Sequence, residues 1–310
     1  MSDRGLALKP YFALAGLALI WGSSFLFIKV AVHDMSPMVI LLIRSATGCA
    51  TLALIMRATG RRLFGEGWRG RIPSFALMAI TNAVVPWIAI AWGEERISSG
   101  LASILNSTTT LWTAVLIFWV IPTERPSLIN YAGVILGFCG VVILVIPDIT
   151  AHGLTGDFFG AMAVVVASLS YAINAMYQRR KMRSVSVFEL SLGQLVATVV
   201  FAIPLAAPTI SQAHLSLESV AAVLALGAGG TGVAYLLYYF VMNSLGAVRA
   251  AGVTFLVPIT AVFWGALLLH ESVSWPILGG MVVILAGIVL TNLRRSAGRQ
   301  PAAKTDPAAA

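Results

Sequence analysis

Charged residues are scarce in this chain. Only 10% of its 310 residues are Asp, Glu, Lys or Arg, and 59% are hydrophobic, whereas soluble domains carry about 25% charged residues. The composition therefore excludes a soluble globular protein and predicts an all-α membrane protein. A transmembrane barrel is excluded too, because barrel strands alternate apolar and polar residues and the long segments here are apolar on every side.

Carboxylates are lacking in the middle of these apolar segments. All twelve acidic residues fall at segment ends, in loops or in the tails. Ionisable groups inside a membrane usually mark ion pathways, so their absence argues against a carrier that is coupled to protons or sodium through a buried acid. Glu94 and Glu95, at the end of the third segment, are the fallback for such a role.

Reactive side chains are equally sparse. Cys49 and Cys139 lie within apolar segments and have neither metal-ligand nor redox spacing, so we expect no disulfide, no bound metal and no cofactor. The four histidines accompany no nucleophile or metal cluster in sequence; no catalytic residue, and hence no enzyme, is predicted. We expect a small-molecule substrate and membrane lipid as partners, no nucleic acid, and a monomer.

The chain contains ten apolar segments of membrane-spanning length. A bilayer core about 30 Å thick needs about 20 residues of helix. The predicted spans are 11–32, 37–57, 72–93, 97–121, 127–146, 157–178, 187–207, 219–242, 248–269 and 275–293. The first has no cleavage site and is expected to remain as a helix.

The second half of the sequence repeats the first at an offset of about 147–150 residues. Aligned in this way, "ERPSLINYAGVILGFCGVVIL" and "ESVSWPILGGMVVILAGIVLT" share a glutamate (Glu124 and Glu271) and two glycines seven residues apart. Each half holds five spans, and five is odd, so the copies are expected to have opposite orientations in the membrane. We predict two inverted five-helix repeats, 1–150 and 151–295, with a site between them near the midplane, and a disordered tail, 296–310.

Basic residues are distributed very unevenly. Of the 20 Lys and Arg residues, 17 fall on the side of the N-terminus and one, Arg96, on the other, while Lys29 and Arg44 lie inside spans. The positive-inside rule then places both termini in the cytoplasm. Lys29, near the end of the first span, is expected to extend its ammonium to the membrane surface.

Polar residues form two stripes at helical spacing. In the fourth span they are Ser99, Ser103, Asn106, Thr110 and Thr113, and in the sixth they are Tyr171, Asn174 and Gln178. The fourth-span stripe must face either a neighbouring helix or a watery cavity, and both remain open. Asn106 favours the cavity, because a dry helix contact seldom satisfies a whole amide.

The third span combines an amide, a proline and an aromatic at mid-depth: Asn82, Pro86 and Trp87. Because proline has no N–H, Pro86 should bend the helix and free a carbonyl, and Pro258 in the ninth span should do the same. Three further aromatics away from the membrane interfaces, Trp21, Trp112 and Tyr238, are candidates for lining a pocket; ordinary packing is the alternative.

Arg44 lies about 10 Å deep in the second span, at 1.5 Å per residue. It either bonds carbonyls at a helix crossing or attracts an anionic group, such as a substrate carboxylate, beside the pathway. The "GAGGTG" sequence from Gly227 to Gly232 fits a dinucleotide-binding pattern, but it lies within the eighth span and no strand precedes it, so close helix packing is the better interpretation.

Several of these features together resemble the EamA-type drug/metabolite transporter superfamily. They are the ten spans in two halves, "ALIWGSSFLFIKVAV" in the first span followed by an arginine in the second, and a glutamate before a glycine-rich helix in both halves. The resemblance covers about 11–293. Within the superfamily the chain looks most like bacterial amino-acid exporters of the YddG kind.

The resemblance implies an inner-membrane exporter that works by alternating access. Its substrates would be small metabolites, most of all aromatic and other apolar amino acids; efflux of hydrophobic drugs is the alternative. The expected binding residues are Trp21, Asn82, Trp87, Asn106, Thr110, Trp112, Tyr171, Asn174 and Tyr238. Pro86 and Pro258 would serve as hinges, and Arg44 would attract a carboxylate. Thr110 stands where a proline is usual, which departs from the pattern.

Overall fold

The computed structural model describes residues 3–120, 127–152, 154, 156–245, 250 and 252–293, and this part of the chain is helical with no strand. Its ten helical rods are α1 (Asp3–Ala31), α2 (Pro37–Ala58), α3 (Trp68–Glu94), α4 (Ser99–Asn106 and Thr109–Val120), α5 (Leu128–His152), α6 (Gly156–Lys181), α7 (Val187–Ala206), α8 (Leu217–Leu245), α9 (Val253–Leu268) and α10 (Trp275–Asn292).

Nine of the described helices are long and apolar enough to cross a membrane. The tenth, α9, is apolar but has 16 residues, and the start of its predicted span, 248–269, includes residues outside the described ones. The predicted tail, 296–310, and Glu124 also lie outside them. The chain is therefore a multi-pass, all-helical membrane protein.

Serine residues begin four of these helices in the same way. Ser36, Ser98, Ser186 and Ser216 each take an extended backbone, and each side chain accepts a hydrogen bond from a backbone N–H three residues later. The hydroxyl oxygen satisfies one of the donors that a helix leaves free at its start. Polar residues between apolar segments thus define where the rods begin.

Two rods contain a π-helical turn, at Ile80–Val84 in α3 and at Ala228–Val233 in α8. The backbone N–H of Val85 donates to the carbonyl of Ile80, and that of Ala234 to Gly229, each five residues earlier. In α3 the turn precedes Pro86, whose missing N–H removes an ordinary helical bond. The two turns lie at matching positions of the sequence repeat.

Glycines bring α5 and α10 into close contact. A methyl group at Gly133 would lie 2.7 Å from the carbonyl oxygen of Gly287, and one at Gly140 would lie 3.0 Å from that of Gly280. Only glycine allows backbones to approach so closely. The pairing is crossed: Gly133 and Gly140 of the first half meet the counterparts of Gly140 and Gly133 in the second.

Polar contacts tie the helices together at both ends of the bundle. At the end where α1 begins, called the near end, Arg71 forms an ion pair with Glu189 at 2.6 Å and so joins α3 to α7. At the opposite, far end, Asp34 after α1 accepts a hydrogen bond from Ser219 of α8 at 2.7 Å and another from Ser216. These bonds, with Ser216 foremost, hold the pKa of Asp34 below its ordinary value.

Candidate functional site

A cavity of about 400 Å³ lies among α1, α2, α3, α4, α6, α8 and α9. Eight of the predicted site residues line it: Trp21, Arg44, Asn82, Trp87, Asn106, Thr110, Tyr171 and Pro258. They are contributed by both halves of the sequence. The cavity has the size and mixed lining of a small-molecule pocket.

The polar wall of the cavity comes from α4, which is broken at Ser107 and Thr108. The run of hydroxyl residues explains the break, because the Ser107, Thr108 and Thr109 side chains each donate to the carbonyl three residues earlier, at 2.6, 2.6 and 2.8 Å. Such local bonds compete with the regular helix. Span 97–121, predicted as one helix, is therefore two.

The break divides the polar stripe of α4 between the two open interpretations. Ser103, Asn106 and Thr110 line the cavity. Ser99 instead binds the carboxylate of Glu271, and Thr113 Oγ1 donates to the carbonyl of Thr109 at 2.7 Å. The centre of the stripe thus faces the cavity, while Ser99 at one end bonds a distant segment and Thr113 at the other bonds its own helix.

Two oxygen atoms in this wall have no hydrogen-bond partner. They are Ser103 Oγ and Asn106 Oδ1, and both are buried. An unpaired buried polar group costs about 1–3 kcal/mol, so native proteins rarely keep one without a purpose. Both atoms are closed to water in this conformation, so a ligand with hydrogen-bond donors would satisfy them once the side chains of the wall turn toward the cavity.

Arg44 is the one charged side chain among the residues that line the cavity. Its guanidinium carbon lies 3.8 Å from the centre of the Trp87 ring, and its Nε donates to Thr231 Oγ1 at 3.4 Å. Within the described part of the chain it forms no ion pair, since the ion pairs found there are Arg71–Glu189 and Arg96–Glu95. Its recorded partners are an aromatic face and a hydroxyl, not the carbonyls of a helix crossing.

A chain of amide and phenol groups lies along one side of the cavity. Asn82 Nδ2 donates to Gln194 Oε1 at 3.0 Å, and Gln194 Nε2 donates to the Tyr235 hydroxyl at 3.0 Å. Gln194, the counterpart of Arg44 at an offset of 150 residues, is not among the site residues predicted from sequence. Its burial in an apolar helix, which requires a polar partner, is the signal that could have singled it out.

Aromatic and aliphatic side chains form the rest of the wall. Trp21 lines the cavity, and Tyr238 packs behind it with ring centres 5.7 Å apart. Trp87 lies opposite the Arg44 guanidinium, and Tyr171 packs against the hydrophobic cluster that contains Trp87. The additional lining residues not predicted from sequence are Ser24, Phe25, Ile28, Ile90, Ser103, Ser107, Thr109, Gly230, Thr231, Ala234, Tyr235, Thr254 and Val257.

Four predicted residues do not line this cavity. Trp112 packs edge-on against Phe138 of α5, with ring centres 4.9 Å apart. Asn174 is buried and accepts a bond from Thr81 Oγ1 at 3.4 Å. Tyr238 forms the second layer behind Trp21, and Pro86 is buried behind Trp87. The sequence pattern predicts how deep such residues lie in the membrane. It does not predict which neighbouring helix their side chains contact.

The "GAGGTG" segment serves both close packing and the cavity. Methyl groups at Gly227 and Gly232 would lie 2.8 Å from the Arg44 carbonyl and 2.6 Å from Thr51, so close packing against α2 is confirmed. The π-turn of α8 also places Gly230 and Thr231 on the cavity wall. Thr231 is the residue that holds Arg44.

At the far end, the expectation for Lys29 is wrong, and the one for Glu94 did not include its burial. Lys29 does not extend to the membrane surface, because its ammonium donates to the backbone carbonyls of Glu94 and, at 2.9 Å, of Ile97. Glu94 ends its helix as predicted, yet it is completely buried, and neither carboxylate oxygen has a hydrogen-bond partner. Burial of this carboxylate could not be inferred from its place at a helix end.

Comparison with known proteins agrees with this architecture. The family model described as the EamA-like transporter family matches residues 8–146 and again 158–293. The uncharacterized transporter YoaV of Bacillus subtilis is 22% identical over 92% of this chain and 97% of its own length. The uncharacterized inner membrane transporter YedA of Escherichia coli K12 is 25% identical over 92% of each chain.

More distant similarity extends to a plant protein and to a solved structure. A WAT1-related chloroplastic protein of Arabidopsis thaliana is 27% identical over 88% of this chain and 66% of its own. One crystal structure of a protein superposes with a TM-score of 0.63 at 17% identity and covers 92% of this chain and 96% of that one. At that identity the likeness concerns the fold alone.

Proposed function

Because this chain belongs to the EamA-like transporter family, we propose that it exports amino acids with aromatic or other apolar side chains across the bacterial inner membrane. One observation carries the proposal. The cavity contains a guanidinium without an ion-pair partner among the described residues, that of Arg44, together with two unpartnered oxygen acceptors, those of Ser103 and Asn106.

These groups are complementary to a zwitterion. The guanidinium of Arg44 can donate two parallel hydrogen bonds to a carboxylate. The oxygen atoms of Ser103 and Asn106 can accept hydrogen bonds from an ammonium group. A free amino acid carries a carboxylate and an ammonium group on the same carbon atom. The carboxylate would pair with Arg44, and the ammonium group would pair with the oxygen atoms of Ser103 and Asn106.

The remaining walls favour an apolar side chain on the substrate. Trp21, Phe25, Trp87, Tyr171 and Val257 surround the polar groups, and their contact with an aromatic or aliphatic side chain would remove apolar surface from water. A volume of about 400 Å³ is sufficient for one amino acid.

We further propose that the two halves are inverted copies that alternate access to the cavity. The crossed glycine pairs of α5 and α10 support a two-fold relation, because each residue of a two-fold contact meets the counterpart of its partner. The matching π-turns in α3 and α8 support it too. The uneven distribution of basic residues supports a cytoplasmic position for the near end and both termini.

Efflux of hydrophobic drugs is the second candidate, favoured by the aromatic walls. It would leave Arg44 without a partner and would be weakest for cationic drugs, because the charge in the cavity is positive. We propose transport without catalysis on the same geometry: no lining residue is a carboxylate, a cysteine or a histidine that could act as a nucleophile or a base.

The test is transport by the purified full-length protein in proteoliposomes. The probes are phenylalanine, the amine that lacks its carboxylate, and the acid that lacks its ammonium group. We expect uptake of phenylalanine to exceed that of both analogues, because each analogue leaves part of the site unpaired. Equal or faster movement of the amine would refute an amino-acid site and favour drug efflux.

A further inference from the structure

We propose that Glu94 is a proton-binding site that controls opening of the far end of the cavity. The proposal rests on the alternating access proposed above, but not on the identity of the substrate. Glu94 is completely buried, and neither of its carboxylate oxygens has a hydrogen-bond partner.

Its surroundings form the lid of the cavity. Ile28, Ile90 and Ser103 line the cavity. Lys29, Glu94 and Ser99 lie on the same helices, one position or one turn closer to the far end. The ammonium of Lys29 holds the carbonyl of Glu94, so α1 is fastened to the end of α3.

Two other carboxylates at this end, Glu271 and Asp34, have hydrogen-bond partners, whereas Glu94 has none. Glu271 accepts three hydrogen bonds from Ser99 and Gly100 at the start of α4, at 2.8, 2.9 and 3.2 Å. Asp34 accepts bonds from Ser216 and Ser219. Both carboxylates are therefore stabilised by hydrogen bonds that Glu94 lacks.

A lone buried carboxylate loses its hydration without compensation, whereas the uncharged acid is far less costly to bury. The charged groups that act on Glu94 are Lys29 of α1, Arg44 of α2 and Glu271 of the link before α10. Lys29 and Arg44 favour the charged form of Glu94 and Glu271 opposes it, but the hydrogen bonds of Lys29 go to two backbone carbonyls and not to the Glu94 carboxylate. Among the described residues, α4 and α6 bring no charge to bear on it, and Glu95 and Arg96 pair with each other at 2.8 Å.

In the proposed mechanism, a closed far end therefore holds Glu94 in its protonated form. When that end opens, water reaches the carboxyl group, the proton leaves to the same side, and the carboxylate opposes closure until it binds a proton again. Glu94 does not line the cavity, so the proton is not passed to the near end. The proton acts on the gate and does not drive accumulation.

No ionisable residue stands at the position that corresponds to Glu94 in the second half. At offsets of 147–150 the counterparts of Glu94 are Val241, Met242, Asn243 and Ser244, none of which is ionisable in this range. Only the far end should respond to the pH on its own side.

The test is the accessibility of a single cysteine at Ser103, in full-length protein with Cys49 and Cys139 replaced. A membrane-impermeant thiol reagent is added from the far side, without substrate, over about pH 5 to pH 8. The labelling rate is divided by that of the same protein carrying Glu94→Gln, which cancels the titration of the thiol itself. We expect this ratio to rise about tenfold or more, because a single proton site shifts an equilibrium by up to tenfold per pH unit.

Glu94→Asp is the matched variant and should restore the pH dependence that Glu94→Gln removes. A ratio that is independent of pH would overturn the proposal, and so would one that follows sodium at constant pH. Accumulation of substrate driven by a pH gradient would also overturn it, because the proton would then cross the membrane. Since no substrate is present in the labelling test, its outcome is separate from that of the amino-acid proposal.

Discussion

Replacing Asn106 by leucine should separate stability from transport. Asn106 Oδ1 is buried in the cavity wall and has no hydrogen-bond partner in the protein. Removing such an atom relieves a penalty of about 1–3 kcal/mol, so Asn106→Leu should be at least as stable as the wild type. If Asn106 were merely structural, its replacement would not be expected to keep the stability of the protein and yet lose transport.

The effect on transport should have the opposite sign. A hydrogen bond to a charged group contributes about 1.5–3 kcal/mol, which corresponds to roughly 10- to 150-fold in affinity. We therefore expect Asn106→Leu to weaken binding of a zwitterionic substrate by that factor and to abolish transport at low concentration.

Thr113→Val provides the matched control on the same helix. Thr113 Oγ1 donates to the carbonyl of Thr109 at 2.7 Å and does not line the cavity, so its loss should cost about 1 kcal/mol of stability and leave transport intact. The assays are thermal unfolding in detergent and initial uptake in proteoliposomes. If Asn106→Leu transports at the wild-type rate, the asparagine contributes to packing and does not bind the substrate.

Three other perturbations test separate parts of the account. Gly287→Val should prevent stable folding, because its first side-chain atom would lie 2.7 Å from the carbonyl oxygen of Gly133, whereas Gly279→Val, with no atom within 4 Å of that position, should fold normally; the yield of monodisperse protein distinguishes them. Pro258→Ala restores a backbone bond in α9 and should lower turnover while substrate affinity stays within about tenfold, or roughly 1.4 kcal/mol; normal turnover would make Pro258 a static feature. A change of pH on the far side alone should change initial rates without changing steady-state accumulation of a zwitterion, and concentrative uptake would contradict facilitated transport.

The fold was largely accessible from the sequence, because apolar length and the scarcity of charge determine where helices cross a membrane. The break in α4 was not, although "NSTTT" from Asn106 to Thr110 contains its cause. Hydroxyl groups that bond their own backbone compete with the helix, and a hydropathy pattern does not register that competition.

The candidate site was accessible only in part. Arg44 and Asn106 stand out because polar groups are costly in apolar helices. Asn174 and Trp112 stand out for the same reason, yet they face neighbouring helices. The burial of Glu94 depends on how Lys29 fastens α1 to α3, a contact between distant segments that no local pattern contains. Because Glu94 is buried, its position at a helix end does not argue against a functional role for its carboxylate.

The most direct measurement of the central claim compares phenylalanine with its decarboxylated amine in three proteins: wild type, Arg44→Lys and Arg44→Gln. The guanidinium of Arg44 is proposed to hold the substrate carboxylate. Arg44→Gln should therefore weaken binding of phenylalanine by roughly tenfold or more, which is the loss of one charge-assisted interaction, and should leave the amine unchanged or more tightly bound. Arg44→Lys keeps the charge but not the planar fork of the guanidinium, so its affinity for phenylalanine should lie between those of the wild type and Arg44→Gln. An equal loss for both ligands in Arg44→Gln would contradict a carboxylate site at Arg44.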